Sequence, residues 1–296
     1  MILSVSRRTD IPCYYFDWFM NRIAAGFVCV RNPINHAQIS KITLSPDVVD
    51  CMVFWTKDAK NMMDKLPALD RLGYKYYFQF TLTPYNKIIE KNLRDKSEIE
   101  DTFIELSRMI DKERVVWRYD PIILNNTLDI LYHEEQFERM CDKLCGYMEI
   151  VTISFVDMYN KLKTKAIRSI TDEEIAELST FIGAQAKAHG LRAVACCEKT
   201  DLTVYGIEKA SCIDKTTIER ICGAKLDIAP DKNQREGCGC YQSIDIGAYN
   251  TCKNGCIYCY ANYSDSSVLS NSEKHNQTVI FLLVIFNKAR KQPREK

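Results

Sequence analysis

The sequence predicts an α/β fold whose parallel sheet is closed, or nearly closed, into a barrel. Six short runs are rich in β-branched and aromatic residues, stretches with helical periodicity separate them, and polar side chains follow most of the runs. Strands that alternate with helices favour parallel pairing with right-handed crossovers. With 296 residues, of which 46% are apolar, the chain is long enough to bury such a core as one main domain.

The predicted strands are residues 2–6, 51–55, 74–82, 115–119, 150–155 and 191–197. The predicted helices between them are residues 17–25, 58–71, 97–111, 134–147 and 172–189. The last helix has the clearest bounds, because Thr171 and Glu174 form a capping-box sequence and Gly190 follows the final turn. Residues 1–197 therefore form the predicted barrel.

Charged side chains follow several predicted strands, at the end where barrel enzymes place their functional groups. One interpretation is an internal ion-pair network that holds the strand ends together. The other is a site in which an arginine fork binds a carboxylate or a phosphate. On the second interpretation, the candidate catalytic residues are Arg7, Arg8, Asp10, Lys57, Arg118 and Asp120.

A short loop near the C-terminus carries Cys252, Cys256 and Cys259 in the spacing C-x3-C-x2-C. Three thiolates on one loop can hold one iron–sulfur cluster and leave one iron open, because four cysteines usually fill such a cluster. The alternative is a structural zinc site completed by a fourth cysteine, such as Cys238 or Cys240. The spacing thus indicates a metal centre of one of two kinds.

With Tyr258 just before the last cysteine, this loop resembles the cluster loop of radical S-adenosylmethionine (SAM) enzymes. The resemblance implies a [4Fe-4S] cluster on Cys252, Cys256 and Cys259, SAM on the fourth iron, and Tyr258 close to the adenine. It also implies a partial (β/α)6 TIM-like barrel, an electron donor such as ferredoxin or flavodoxin, and a radical that abstracts hydrogen from a substrate. The position differs, because the loop usually follows the first barrel strand in that superfamily and here it follows residue 250.

Segments 4–12, 54–57, 117–121 and 245–261, together with the C-terminal position of the loop, resemble an uncharacterised family of unknown function. That family has a radical-SAM-like cysteine cluster at its C-terminal end, and the resemblance covers roughly residues 1–268. It implies no established activity. Asp245 and Gly247 precede the loop and join Tyr258 as candidate cofactor-binding residues, and Gly247 allows the chain to turn into the loop.

Residues 198–268 contain one predicted helix, 215–222, and an irregular segment rich in glycine and cysteine. We expect this region to be a cap in which residues 238–261 close over the barrel mouth and bring the loop cysteines near Arg7, Lys57 and Arg118. A second iron–sulfur or zinc centre is one interpretation of the remaining cysteines there, and buried free thiols are the other. The candidates for the second centre are Cys197, Cys212, Cys222, Cys238 and Cys240.

The tail, residues 269–296, includes an apolar run at 279–286 that is shorter than the ~20 residues needed to span a bilayer. It is either a terminal element that packs on the body or sequence foreign to the domain. The start of the sequence does not predict a signal peptide, since the first apolar run is short and Arg7 and Arg8 follow it. We therefore expect a cytoplasmic protein without a membrane partner, whose fourteen cysteines serve metal binding or catalysis rather than disulfides.

Forty basic and thirty-nine acidic residues leave a net charge of +1, which does not favour a nucleic-acid partner. The leading hypothesis is a radical SAM-type enzyme with an unknown substrate. The alternative is a non-catalytic iron–sulfur or zinc protein that serves electron transfer, sensing or stability. Reductive formation of 5′-deoxyadenosine from SAM distinguishes the two.

Overall fold

The computed structural model describes residues 1–158, 162 and 167–283. The strands in this part of the chain are β1 (Ile2–Val5), β2 (Phe27–Arg31), β3 (Ile39–Thr43), β4 (Cys51–Thr56), β5 (Tyr76–Thr81), β6 (Val115–Ile122), β7 (Ile150–Phe155), β8 (Arg192–Ala195), β9 (Glu208–Lys209) and β10 (Ile244–Asp245). The α-helices are α1 (Ile11–Tyr14), α2 (Phe16–Ala25), α3 (Leu66–Arg71), α4 (Lys96–Ile110), α5 (Ile130–Leu144), α6 (Asp172–Ala188), α7 (Lys215–Cys222) and α8 (Asp265–Glu273).

Eight strands form one parallel sheet in the order β10-β1-β4-β5-β6-β7-β8-β9. Its six central strands are the six predicted ones, in the predicted sequence order. Within the described residues the ladder starts at β10 and ends at β9, and these two edge strands are not paired with each other. The structure is thus an eight-stranded parallel sheet flanked by helices, whereas the sequence predicts six strands that close or nearly close into a barrel.

Both faces of the sheet are buried. Met52 and Phe54 of β4 point to the face that packs against the helices, together with Phe78 of β5. Their neighbours point to the opposite face, where Val53 and Tyr77 share a second core with residues of the C-terminal third of the chain, among them Ile213, Ile218 and Cys240. Parallel strands that are covered on both faces are apolar throughout, which is why their sequences are recognisable.

The region after residue 197 is built into this sheet. It supplies both edge strands, β9 beside β8 and β10 beside β1. Its helix α7 packs Ile218 into the second core, which the irregular residues around it also enter. The predicted cap therefore adds strands to the sheet and covers one of its faces.

Most predicted helices agree with the structure to within a few residues, and the capping box of α6 is present, with Thr171 Oγ1 accepting from the Glu174 amide at 3.3 Å. The helix predicted at 58–71 is divided into a 3-10 helix, Lys60–Lys65, and α3. Pro67 causes the division, because a proline is tolerated in the first turn of a helix and disrupts the interior of a longer one. The antiparallel hairpin β2–β3 was not among the predicted elements.

The described part of the tail packs on the body. Trp18 Nε1 of α2 donates to the Val279 carbonyl at 2.9 Å, and the Cys29 amide of β2 donates to the Ile280 carbonyl at 3.0 Å. Residues 284–296, with the end of the apolar run, lie outside the described residues. Of the helices in the described part of the chain, none combines the length and the apolar character that a bilayer crossing requires.

Candidate functional site

The cysteine loop, defined as residues 250–261, lies against the segments that follow β1, β4 and β5. On the β1 side, Tyr14 OH donates to Asn254 Oδ1 at 2.8 Å and Tyr15 OH donates to the Thr251 carbonyl at 2.6 Å. On the β5 side, the Asn92 side chain donates to the Lys253 carbonyl at 2.7 Å. The loop is therefore held at the carboxyl ends of neighbouring strands, the end at which α/β sheets bind ligands.

Asp10 is the buried centre of these attachments. Its carboxylate accepts hydrogen bonds from Thr56 Oγ1 and the Lys57 amide, both at 2.8 Å. It also accepts from the Cys13 amide and from Asn254 Nδ2, each at 3.1 Å. Burial raises the pKa of Asp10 to about 6, although these hydrogen bonds oppose the shift. Asp10 thus joins α1, the end of β4 and the cysteine loop, and its four donors make it a positioning residue.

Glu90 organises a second buried group between β4, α4 and the loop. Its side chain is fully buried, accepts from Lys57 Nζ at 2.8 Å and from Thr83 Oγ1 at 3.0 Å, and contacts Lys96 and Tyr258 OH. Burial alone would raise the pKa of Glu90, but the two lysines outweigh it and hold the pKa at about 2. The Glu90 carboxylate is therefore ionised, and its contact with Tyr258 OH fixes the phenol beside the loop cysteines.

Lys57 stays charged in this buried position. Burial favours the neutral amine, but Glu90 and the Cys256 thiol raise the pKa of Lys57 above its ordinary value. Its Nζ lies 5.4 Å from the centre of the Tyr258 ring. A fixed cation therefore stands next to a predicted metal ligand.

The thiols of Cys252, Cys256 and Cys259 are half-buried, and each interacts electrostatically with the other two. Burial raises the pKa of Cys252, and it raises that of Cys256 to about 12 although Lys57 opposes the shift. Thiols that burial keeps neutral become thiolates when they coordinate a metal. Among the described residues, these three sulfurs do not all lie within 4.8 Å of one another.

A second cysteine group, hereafter the inner cysteine group, lies on the sheet face that the C-terminal third of the chain covers. The sulfur atoms of Cys196, Cys238 and Cys240 all lie within 4.8 Å of one another. The Cys212 thiol interacts with those of Cys196 and Cys240. Hydrogen bonds of Cys196 and Cys212, and then that of the Ile213 amide, lower the pKa of Cys240 to about 3 although burial opposes the shift. Three of the five predicted second-centre cysteines thus meet here.

The other two predicted members lie elsewhere. The Cys197 thiol donates to the Glu236 carbonyl at 3.2 Å, and the Cys222 thiol donates to the Asp50 carbonyl at 3.3 Å and interacts with Cys51. Cys196 takes the place that the sequence assigned to Cys197. The strand was predicted to continue through residue 197, but β8 ends at Ala195, so the two cysteines follow a bend instead of alternating across a strand.

Arg7 and Arg118 meet over one aromatic ring at the strand ends. Their guanidinium carbons lie 5.2 and 5.4 Å from the centre of the Trp55 ring. Arg118 contacts Asp120 and donates to Gln79 Oε1 at 3.1 Å, so the interpretation as an internal network fits it. Burial opposes its charge, but the Cys212 thiol and Asp120 raise the pKa of Arg118 above its ordinary value.

Arg7 differs from Arg118, because its Nε is buried without a hydrogen-bond partner among the described residues. Its Nη1 donates to Gln234 Oε1 at 3.0 Å. Arg8 contacts a different ring and places its guanidinium carbon 5.4 Å from the centre of the Tyr249 ring. Of the predicted arginines, Arg7 therefore has an unused buried donor available for a ligand.

Asp245 and Gly247, predicted to bind a cofactor, connect the cysteine loop to β1. The Asp245 carboxylate accepts from Ser4 Oγ at 3.0 Å, Ser6 Oγ at 2.5 Å, and the amides of Arg7 at 2.8 Å and Gly247 at 2.9 Å. A Cβ on Gly247 would stand 2.0 Å from Ser6 Oγ, so only glycine fits. Both residues are occupied with holding the entry to the loop in place.

A family model described as a domain of unknown function, DUF1848, matches residues 2–261. The chain belongs to this family. The DUF1848 match begins at β1 and ends two residues after Cys259, so it includes both cysteine groups and excludes α8. Searches of curated proteins and of solved structures found no match to the chain. Membership of DUF1848 thus identifies the family and leaves the activity to be inferred from the site.

The sequence did not single out Glu90 or Asn254 as members of the site. Glu90 lies in the connection between β5 and α4, where no motif marks it, and its contact with Tyr258 spans 168 positions. Asn254 lies inside the cysteine motif, but the motif itself marks only the metal-binding cysteines. Its place between two cysteines of the DUF1848 loop was the one available signal.

Proposed function

We propose that this DUF1848 protein is a radical SAM-type enzyme that binds a [4Fe-4S] cluster on Cys252, Cys256 and Cys259. The observation that carries the proposal is the position of these three thiols, which one loop presents at the carboxyl ends of the strands beside the buried cation of Lys57. Cys252, Cys256 and Cys259 would hold the cluster, and the cluster would supply the electron for reductive cleavage of SAM. The open parallel ladder suits a partial (β/α)6 TIM-like barrel around that chemistry.

The chain's own residues hold the reacting groups in position. Asp10 and Asn254 fix one side of the loop, and Glu90 fixes the other side through Tyr258. Lys57 offsets negative charge next to Cys256. Because these contacts are buried and already formed, the loop needs little reorganisation when its ligands bind.

We propose that the substrate or the SAM carboxylate enters a cleft of about 950 Å³ beside the loop. Arg7, Arg8, Tyr249 and Tyr260 contribute to its lining, and Tyr260 directly follows Cys259 in the chain. The size is within the range of small-molecule sites. The lining carries both signs of charge, because Asp50, Asp227, Asp231 and Asp245 also contribute to it, and the arginines are the groups that would bind an anionic part of the ligand. Arg7 has the unpartnered buried Nε that such a group would satisfy.

We further propose a cytoplasmic location and an electron donor such as ferredoxin or flavodoxin. All fourteen cysteines are free thiols in the structure, as a reducing compartment requires. The residues Cys252, Cys256 and Cys259 are only partly buried, so the loop leaves an approach for a donor protein.

The test is anaerobic reconstitution with iron and sulfide, followed by chemical reduction, addition of SAM and chromatographic measurement of 5′-deoxyadenosine. The wild type should bind about four iron ions on the loop and form 5′-deoxyadenosine. Cys256→Ala should lose both the iron and the product. Cys145→Ser, which changes a cysteine at the end of α5, is the matched control and should keep both.

Two results would reject the enzyme. A stable loop cluster without 5′-deoxyadenosine would support the alternative, a non-catalytic iron–sulfur protein. Zinc on the loop with no iron would contradict the cluster itself.

A further inference from the structure

The inner cysteine group brings together thiols from three separate segments of the chain. Cys196 follows β8, Cys212 precedes α7, and Cys238 and Cys240 lie in the Cys-Gly-Cys sequence before β10. The sulfur atoms of Cys196, Cys238 and Cys240 are within 4.8 Å of one another, and Cys196 and Cys240 are buried. Such convergence of thiols is typical of a metal site in a chain without disulfides.

Cys212 is placed to be the fourth ligand. Its thiol contacts those of Cys196 and Cys240. Its carbonyl accepts from Tyr77 OH at 2.9 Å and from Gln79 Nε2 at 2.8 Å, so the sheet fixes its backbone. The position of Cys212 is therefore set by β5, independently of the other three cysteines.

The surrounding backbone is shaped for the same purpose. A Cβ on Gly239 would stand 2.7 Å from Ser211 Oγ, so the glycine permits the close approach of the two segments. The Ile213 amide donates to Cys240 Sγ at 3.5 Å, the kind of hydrogen bond that orients a ligand sulfur from outside. Both features support sulfur atoms that converge on one point.

Two buried cations stand beside the inner cysteine group. Arg118 Nη1 donates to Cys212 Sγ at 3.1 Å. Arg7 shares the Trp55 ring with Arg118 and interacts with the thiols of Cys240 and Cys212. Four thiolates on one divalent ion leave two negative charges, and these two guanidinium groups offset them.

We propose that Cys196, Cys212, Cys238 and Cys240 bind a single zinc ion as a tetrathiolate site, separate from the metal centre of the cysteine loop. Zinc–sulfur bonds of about 2.3 Å in a tetrahedron place the sulfurs about 3.8 Å apart. Cys196, Cys238 and Cys240 therefore need to contract only slightly, and the thiol of Cys212, which stands outside their 4.8 Å set, turns in to complete the tetrahedron. A [4Fe-4S] cluster holds its ligands around a larger body and would push them apart. The zinc ion ties the irregular C-terminal segment to the sheet and fixes Arg7 and Arg118 at the strand ends.

The proposal is tested by metal analysis of the full chain purified from zinc-containing medium under anaerobic conditions. We expect about one tightly bound zinc ion per chain. The triple variant Cys252→Ala, Cys256→Ala, Cys259→Ala should keep the zinc while losing loop iron. Cys238→Ser and Cys240→Ser should lose it, whereas Cys197→Ser and Cys222→Ser, which change neighbouring cysteines outside the group, should retain it.

Cobalt substitution tests the coordination without any variant. Co²⁺ in the wild-type site should show the intense visible bands of tetrahedral thiolate coordination. A folded wild type with no zinc and no cobalt spectrum would overturn the proposal, as would a disulfide within the group or iron in place of zinc. Zinc that disappears with the loop triple variant would assign the ion to the loop. Retained zinc without 5′-deoxyadenosine formation would reject the proposed enzyme and leave this site standing.

Discussion

Substitution of Glu90 by glutamine should destabilise the protein strongly, because Glu90 is a buried carboxylate that holds two lysines and the cysteine loop. Burial would raise the pKa of Glu90, but its contacts with Lys57 and Lys96 lower it from 4.5 to about 2. That shift corresponds to about 3 kcal/mol in favour of the ionised form. Loss of one partner of a buried pair costs about 3–5 kcal/mol. We therefore expect Glu90→Gln to lower the free energy of unfolding by about 3 kcal/mol.

The assay is urea unfolding at neutral pH under anaerobic conditions, with equal metal content in the proteins compared. Glu105→Gln is the matched control, since Glu105 pairs with Lys60 at 3.3 Å but its side chain is 61% exposed. The control should cost less than about 1 kcal/mol, as is usual for surface pairs. Because the m value follows the surface exposed on unfolding, it should be the same in both variants and the wild type.

The pH dependence provides a second readout with a defined sign. The folded-state pKa of Glu90 is lowered, so its contribution is complete above the unfolded value of 4.5 and is lost as the pH falls from 4.5 towards 2. The difference between wild type and Glu90→Gln should narrow over that window. Equal costs for Glu90→Gln and Glu105→Gln, or a difference from wild type that does not change with pH, would refute the reasoning.

Two further predictions concern a buried histidine and a glycine. Burial lowers the pKa of His133 from 6.5 to about 4. Between pH 4 and 6.5 the unfolded chain therefore binds a proton that the folded protein does not bind. The free energy of unfolding of the wild type should rise by up to about 3 kcal/mol as the pH increases through this window. The measurement is the urea unfolding midpoint from pH 4 to 7. The midpoint of His133→Gln should increase less with pH than that of the wild type, and an equal increase in the two proteins would contradict the prediction. Gly247→Ala places a Cβ 2.0 Å from Ser6 Oγ and should lower both the Tm and the iron content of the loop. The control is Gly223→Ala, whose Cβ has no neighbour within 4 Å but whose backbone has φ +66°. The losses should be larger in Gly247→Ala. Equal losses in the two glycine variants would show that the contact with Ser6 relaxes freely.

The central strands were predictable because their signal is local. The predicted strand 51–55 is β4, Cys51–Thr56, and the predicted strand 150–155 is β7. A parallel strand that is covered on both faces must be apolar along its length, so the run is visible in the sequence. The capping box at Thr171 was equally visible, since both of its partners lie within one helical turn.

The edge strands were not predictable from the sequence. β9 and β10 each have two residues, too few for a periodic pattern. β10 exists because Asp245 pairs with Ser4 across the sheet, and that pairing depends on the path of the whole chain. The division of the helix predicted at 58–71 has a local cause, because Pro67 lies in the first turn of α3 and a proline disrupts the interior of a longer helix.

Some of the candidate metal ligands were likewise predictable from local sequence, and others were not. By itself the sequence determined the loop motif of Cys252, Cys256 and Cys259, because a spacing within eight residues is enough to place three thiols on one turn of chain. Tertiary structure alone decided that Cys196 joins Cys240, and that Glu90 receives the phenol of Tyr258. The physical reason is that a hydrogen bond or a shared ligand sphere depends on distance in space, and for residues far apart in the chain only the packed sheet determines that distance.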